Sequence, residues 1–311
     1  MSITITGGFT LAGGGWTVAP APPASYKAIF GYGINATTRY SLTNLVSDTG
    51  VVATDTAGVG TARHQLAAAG YGTDKAIFGY GRNAAVIPVS TTNLVSNTGV
   101  VATDTAGVGT ARYGLAAAGY GTDKALFGYG SGPVSMTNKV SNTGVVATDT
   151  TGVGFQRYNL AASGYGTDKA IFGYGEGSGG NKSITNLVSN TGVVATDTTG
   201  VGTARTSLAA AGYGTDKAIF GYGITTIRVS MTNLVSNTGV VATDTTGVGL
   251  ARWSLAAAGY GTGKAIFGFG YGVGDAVTSI TNLVSNTGVV ATDTTGVGTA
   301  RGDLAAASYG S

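Results

Sequence analysis

Arg63 to Asn93, RHQLAAAGYGTDKAIFGYGRNAAVIPVSTTN, recurs with small edits along the chain, and this recurrence decides the fold. Three anchors locate six copies. They are the Arg closing each GVGTAR-like segment (Arg63, Arg112, Arg157, Arg205, Arg252, Arg301), the Lys of KAIFGYG (Lys27, Lys75, Lys124, Lys169, Lys217, Lys264) and the Asn of TN (Asn44, Asn93, Asn138, Asn186, Asn233, Asn282). From Arg to the next Lys is always 12 positions, from Lys to the Gly ending FGYG always 6, and from Asn to the next Arg always 19. Only the step from that Gly to the following Asn changes, running 11, 12, 8, 11, 10 and 12. Every insertion and deletion within the repeats therefore falls in one loop.

Within the quoted stretch, Leu66 to Tyr71 reads as a first strand, Gly72-Thr73-Asp74 as a tight turn and Ala76 to Tyr80 as a second strand. After the variable loop, Thr92 to Ser96 reads as a third strand. Asn97-Thr98-Gly99 then turns the chain into a fourth strand, Val100 to Thr105. Four short antiparallel strands make one blade, which cannot bury both faces alone and must stack radially. The 55 glycines and the abundance of Thr, Val and Ala oppose helix and suit short strands.

The first unit begins at Tyr26-Lys27 without an Arg-LAAAGYG strand, and the chain finishes on Arg301-Gly-Asp-Leu-Ala-Ala-Ala-Ser-Tyr-Gly310, which is that missing strand. The expectation is an all-β, six-bladed β-propeller of four-stranded antiparallel blades, closed by the C-terminal strand pairing with the N-terminal blade. Residues 26–311 form the propeller. Residues 1–25 are a leader, in which Ser2 to Thr6 alternates like an attachment strand and Ala19-Pro20-Ala21-Pro22-Pro23 reads as a stiff spacer.

The order Arg63, LAAAGYG, KAIFGYG, TNLVS resembles the kelch repeat, with two departures: the glycine pair is Gly79-Tyr80-Gly81, and no Trp stands in the fourth strand. The resemblance covers residues 26–311 and implies the propeller architecture. The Gly-punctuated leader followed by AIFGYG and TNLVSNTGVV repeats also resembles virion-associated repeat proteins of tailed bacteriophages. That resemblance implies contacts with other virion proteins through residues 1–25, a homo-oligomeric option, and a location on a virion or extracellular surface.

Charge and composition narrow the chemistry. A net charge of +3, from 17 basic and 14 acidic residues spread singly at the repeat period, is no nucleic-acid patch. No apolar run approaches a membrane span. With one His, no Cys and no acid cluster outside the repeated Asp series, neither a nucleophile-base pair nor a metal site can be written, so we expect no enzyme and no cofactor. The six Asp of TDT (Asp55, Asp104, Asp149, Asp197, Asp244, Asp293) do not match an Asp-x-Gly box. Present once per blade like the Arg, they read as ion-pair partners that tie blades together.

In an antiparallel blade the variable loop lies on the same face as the two residues after each repeat Arg: His64-Gln65, Tyr113-Gly114, Tyr158-Asn159, Thr206-Ser207, Trp253-Ser254 and Gly302-Asp303. The opposite face carries the nearly uniform GTD and SNTG turns. Planar groups at His64, Tyr113, Tyr158 and Trp253, with loop charges such as Arg82, Arg228 and Glu176, suit stacking on a sugar ring and bonding its hydroxyls. Arg39, Lys182 and Asp275 add further single charges. These residues are the candidate ligand-binding set, and a cell-surface glycan or receptor is the expected partner. The competing reading is a purely architectural part of a larger assembly.

Overall fold

The computed structural model describes residues 9–12, 15–18, 27–132 and 134–310. The expected attachment strand Ser2 to Thr6 and the spacer Ala19 to Pro23 lie outside the described residues. Among residues 1–25, Phe9–Ala12 pairs antiparallel with Gly15–Val18. The protein is all-β: the described residues contain no α-helix, and the one helical turn is the 3-10 segment Val273–Asp275.

Six three-stranded antiparallel sheets repeat with one register. In the second unit the strands are Ala67–Tyr71, Lys75–Gly79 and Thr92–Val95. Ala67 pairs with Gly79 and Tyr71 with Lys75, and then Ala76 pairs with Val95 and Gly79 with Thr92. We call these the inner, middle and outer strands. The first sheet takes its inner strand from the far end of the chain, where Ala305–Tyr309 pairs with Lys27–Gly31. Each inner strand also lies beside the inner strands of the preceding and following sheets. Ala305–Tyr309 lies beside both Ala67–Tyr71 and Ala256–Tyr260, so the series has no free member.

The expected fourth strand is not a continuous ladder. Val100 to Thr105 meets the outer strand at two isolated bridges, Val95 to Val101 and Thr92 to Thr105. Three steps on one side face four on the other, so one extra residue bulges out. The buried Asn93 carboxamide fills the interruption and donates to Ala102 O at 3.0 Å, an acceptor that the ladder leaves free. The sheets are three-stranded for this reason.

The core lies between sheets. Each cluster of buried residues draws on two neighbouring units, as Ile29 and Tyr32 pack with Ala76, Phe78 and Val95. Aromatic pairs carry the contact: Tyr80 with Phe127, Tyr129 with Phe172, and so on to Phe269 with Phe30, at ring centroids 5.0–5.2 Å apart. Tilted pairs of this kind add about 0.5–1.5 kcal/mol beyond the area they bury. Their closeness explains one glycine of each FGYG: a methyl on Gly128 would sit 2.6 Å from Phe172 Cζ.

Candidate functional site

The uniform part of the repeat forms a hydrogen-bonded network that fixes where the variable part can go. Fully buried Arg112 donates from Nε to Tyr129 O at 2.8 Å, from Nη1 to Thr110 O at 3.1 Å and from Nη2 to Asn138 Oδ1 at 2.7 Å. Its guanidinium also lies 4.5 Å from the centroid of the preceding unit's Tyr80 ring. Asn138, also fully buried, turns its Nδ2 to Asp149 Oδ1 at 2.8 Å, and Asp149 accepts from Thr110 N and Oγ1 at 3.0 and 2.6 Å. Arg112 and Asp149 themselves stand 3.8 Å apart. The repeat Asp and Arg thus act together through an Asn, a residue whose role sequence spacing alone does not reveal. Burial pushes the Asp149 carboxyl up, but the Thr110 and Asn138 hydrogen bonds and the Arg112 charge outweigh it and hold it below its ordinary value.

Directly after each buried Arg the chain enters a belt of six backbone hydrogen bonds. Gln65 N–H donates to Asp303 O, Asp303 to Ser254 O, Ser254 to Ser207 O, Ser207 to Asn159 O, Asn159 to Gly114 O and Gly114 to Gln65 O, at 2.6–2.9 Å. All six residues hold φ between 49° and 62°, a strained conformation for the five that carry side chains. The belt turns the residue before it toward the variable loop of its own sheet. His64 bridges Arg82, Tyr158 bridges Glu176, Thr206 bridges Ile224, Trp253 bridges Tyr271 and Gly302 bridges Ile34, while Ser131 N donates to Tyr113 O at 2.8 Å. Loop and post-Arg residues therefore share one face.

On this face the candidate residues fall into two groups. In the first, the half-buried Trp253 stacks on Tyr271 at 4.8 Å and 26°, and its Nε1 donates to Asp275 Oδ1 at 3.1 Å. Asp275 also accepts from Arg228 of the preceding variable loop, and this hydrogen bond, more than any other group, holds its exposed carboxyl below the ordinary range. Gly302 makes the stack possible, since a methyl there would overlap the Tyr271 ring. Tyr271 is the partner that the sequence reading missed; its only signal is an extra aromatic after FGFG.

In the second group His64 is buried, at 6% exposure, and so offers no stacking surface. It lies where Gly33 N donates to Arg63 O and where its own N–H and C=O pair with Arg82, placing it between two variable loops. Burial, then the charges of Arg39 and Arg82, hold its imidazole down at about 4. The Arg82 guanidinium covers one face of the half-buried Tyr113 ring at 3.4 Å from the centroid. Tyr158 is bridged to Glu176, and the bond from Asn159 N to Gly114 O makes Tyr158 and Tyr113 neighbours along the belt. Burial, then Glu176 and Tyr113, raise the Tyr158 hydroxyl above its ordinary value. Asp303, on the belt, is pushed up to about 6 by burial, against a hydrogen bond from Ser254 and the Arg82 charge.

The opposite face is built differently. A cavity of about 460 Å³ runs between the inner strands and is lined near its mouth by Lys75, Lys124, Lys169, Lys217 and Lys264. Four of these lysines lie 2.7–3.1 Å from the Asp that precedes them, and Gly263 stands in that place before Lys264. Lys27 pairs with Tyr309 at this same end, so residues preceding Lys27 join here, away from the variable loops. Among the described residues no group of His, Asp or Glu is placed to hold a metal ion, and no helix is long and apolar enough to cross a membrane. Compared with models of known protein families and with curated proteins, the chain matches none.

Proposed function

We propose that the six sheets are the blades of a kelch-like β-propeller, and that the protein is a non-enzymatic recognition module binding cell-surface glycan through its variable face. On this reading residues 1–25 attach it to a larger particle, such as a bacteriophage virion, with the variable face pointing outward. The observation that carries the reading is polarity. All length variation and the post-Arg aromatics Tyr113, Tyr158 and Trp253 lie at one end, whereas Lys27, where residues 1–25 would join, lies at the other. Rigid aromatic groups set among adaptable polar ones suit a sugar, whose ring stacks and whose hydroxyls need hydrogen bonds.

The Tyr113→Ala, Tyr158→Ala, Trp253→Ala triple variant tests this on a glycan array and on whole cells. We expect cooperative unfolding to be retained, since the rings are half-buried at a rim, and binding to drop by tenfold or more, as on removal of about 1–3 kcal/mol per aromatic anchor. A specific observation favours the architectural alternative: Tyr113 and Trp253 already lie against Arg82 and Tyr271. A triple variant that folds and binds as the parent does, or a parent that binds no glycan, would decide for that alternative.

A further inference from the structure

Three arginines stand on the variable loops, and their surroundings differ. Arg228 is paired with Asp275. Arg39 and Arg82 form no ion pair with any described carboxylate. Asp303 lies within electrostatic range of Arg82 but forms no such contact. The two guanidiniums come from successive variable loops: Arg82 pairs its backbone with His64, and Arg39 precedes Tyr40, whose carbonyl accepts from Arg63 N at 3.4 Å, so both arginines belong to segments that meet the chain at His64. Arg39 Nε, Arg82 Nε and His64 Nδ1 are buried without a hydrogen-bond partner in the protein, as is Arg228 Nε, so what sets Arg39 and Arg82 apart from Arg228 is the missing carboxylate. Two half-buried like charges beside an imidazole that cannot take a proton near neutrality cost stability, and an arriving anion relieves that cost.

We infer that Arg39 and Arg82 form a carboxylate-binding notch beside His64 and Tyr113, so that the glycan recognised by this face is an acidic sugar. This deepens the recognition reading and rests on it. Guanidinium forks match a carboxylate in two hydrogen bonds. Arg82 is held over the Tyr113 ring, 3.4 Å from its centroid, so one of the two forks is already positioned before the ligand arrives. The sugar ring bearing the carboxylate then lies toward Tyr113 and Tyr158, which follow one another along the belt, with Glu176 bridged to Tyr158. Glu176 disfavours a second carboxylate there and suits a hydroxyl-bearing neutral residue next along the chain.

His64 is the one histidine of the sequence, so its imidazole resonances report on the notch without assignment. The experiment titrates the full-length protein with glucuronate, with glucose as the uncharged counterpart and acetate as the bare carboxylate, following the His64 ring by NMR between pH 3 and 7. We expect glucuronate to shift the resonance saturably and to raise the His64 pKa by about one unit, because a negative charge now faces it. Glucose should produce no pKa change, acetate should bind at least tenfold more weakly than glucuronate, and Arg39→Gln and Arg82→Gln should each weaken glucuronate binding tenfold or more. An unmoved His64 pKa, acetate binding as tightly as glucuronate, or full binding by both Gln variants would overturn the inference. If glycan binding in the array still depends on Tyr113, Tyr158 and Trp253 in that event, only the acidic-sugar assignment falls.

Discussion

Thr299 donates its N–H and hydroxyl to Asp55 at 3.0 and 2.6 Å, although the two residues stand 244 positions apart. The same pair of bonds joins Thr110 to Asp149 across 39 positions and Thr203 to Asp244 across 41. The junction between the last unit and the first is thus built like the internal ones.

Removing the strand that makes this junction should be far more damaging than its length suggests. Deletion of Leu304 to Ser311 strips the inner partner from Lys27–Gly31 and the neighbour from two other inner strands. We expect loss of the cooperative calorimetric transition and aggregation on size-exclusion chromatography. A truncated chain that stays monomeric with an unchanged melting curve would refute the role assigned to the seam.

The buried Asn, more than the Asp, should carry the network. Asn138→Leu keeps the volume but leaves Arg112 Nη2 and Ala147 O without their partner. The cost should be about 1–3 kcal/mol for each group left unpaired. Because an uncompensated buried charge is the main penalty, Arg112→Leu added to Asn138→Leu should destabilise by much less than the sum of the two single changes. A urea-denaturation double-mutant cycle measures this, and strict additivity would show that the two residues act independently.

Asp303 and His64 should set opposing pH dependences. Burial holds Asp303 at about 6 against 3.8. The folded state therefore keeps its proton more tightly, and that stabilisation is present below about pH 4 and lost as pH rises to 6. His64 is held at about 4 against 6.5, so folding expels its proton and stability is lost as pH falls from 6.5 to 4. Each shift corresponds to up to about 3 kcal/mol. The carboxylates held below 3.8, such as Asp55 and Asp149, act only at lower pH. The parent protein should therefore show a nearly flat profile between pH 4 and 6.5. Asp303→Asn should give stability rising with pH and His64→Gln stability falling with it, as read from denaturation midpoints across the window.

Much of the architecture could be read from the chain itself. The constant intervals between Arg, Lys and Asn placed three strands per unit to within a residue or two, and the Arg301 to Gly310 ending predicted the pairing of Ala305–Tyr309 with Lys27–Gly31. Such features are legible because strand pairing within a repeat is local and the hairpin turn sets its register. The outer segment was not legible in the same way. Val100 to Thr105 has strand composition, and alternation cannot distinguish a continuous ladder from two bridges separated by a bulge. The Asn93 side chain that breaks the ladder does so by reaching nine residues along to Ala102 O. The chemistry of the variable face was decided later still. Tyr271 beneath Trp253, Arg82 over Tyr113 and the partnerless nitrogens of Arg39, Arg82 and His64 all depend on how loops of different lengths cross between neighbouring sheets. Residue types and spacing name the groups available there. Which of them meet, and which are left without a partner, follows only once six sheets have packed side by side and brought loops from distant parts of the chain into contact.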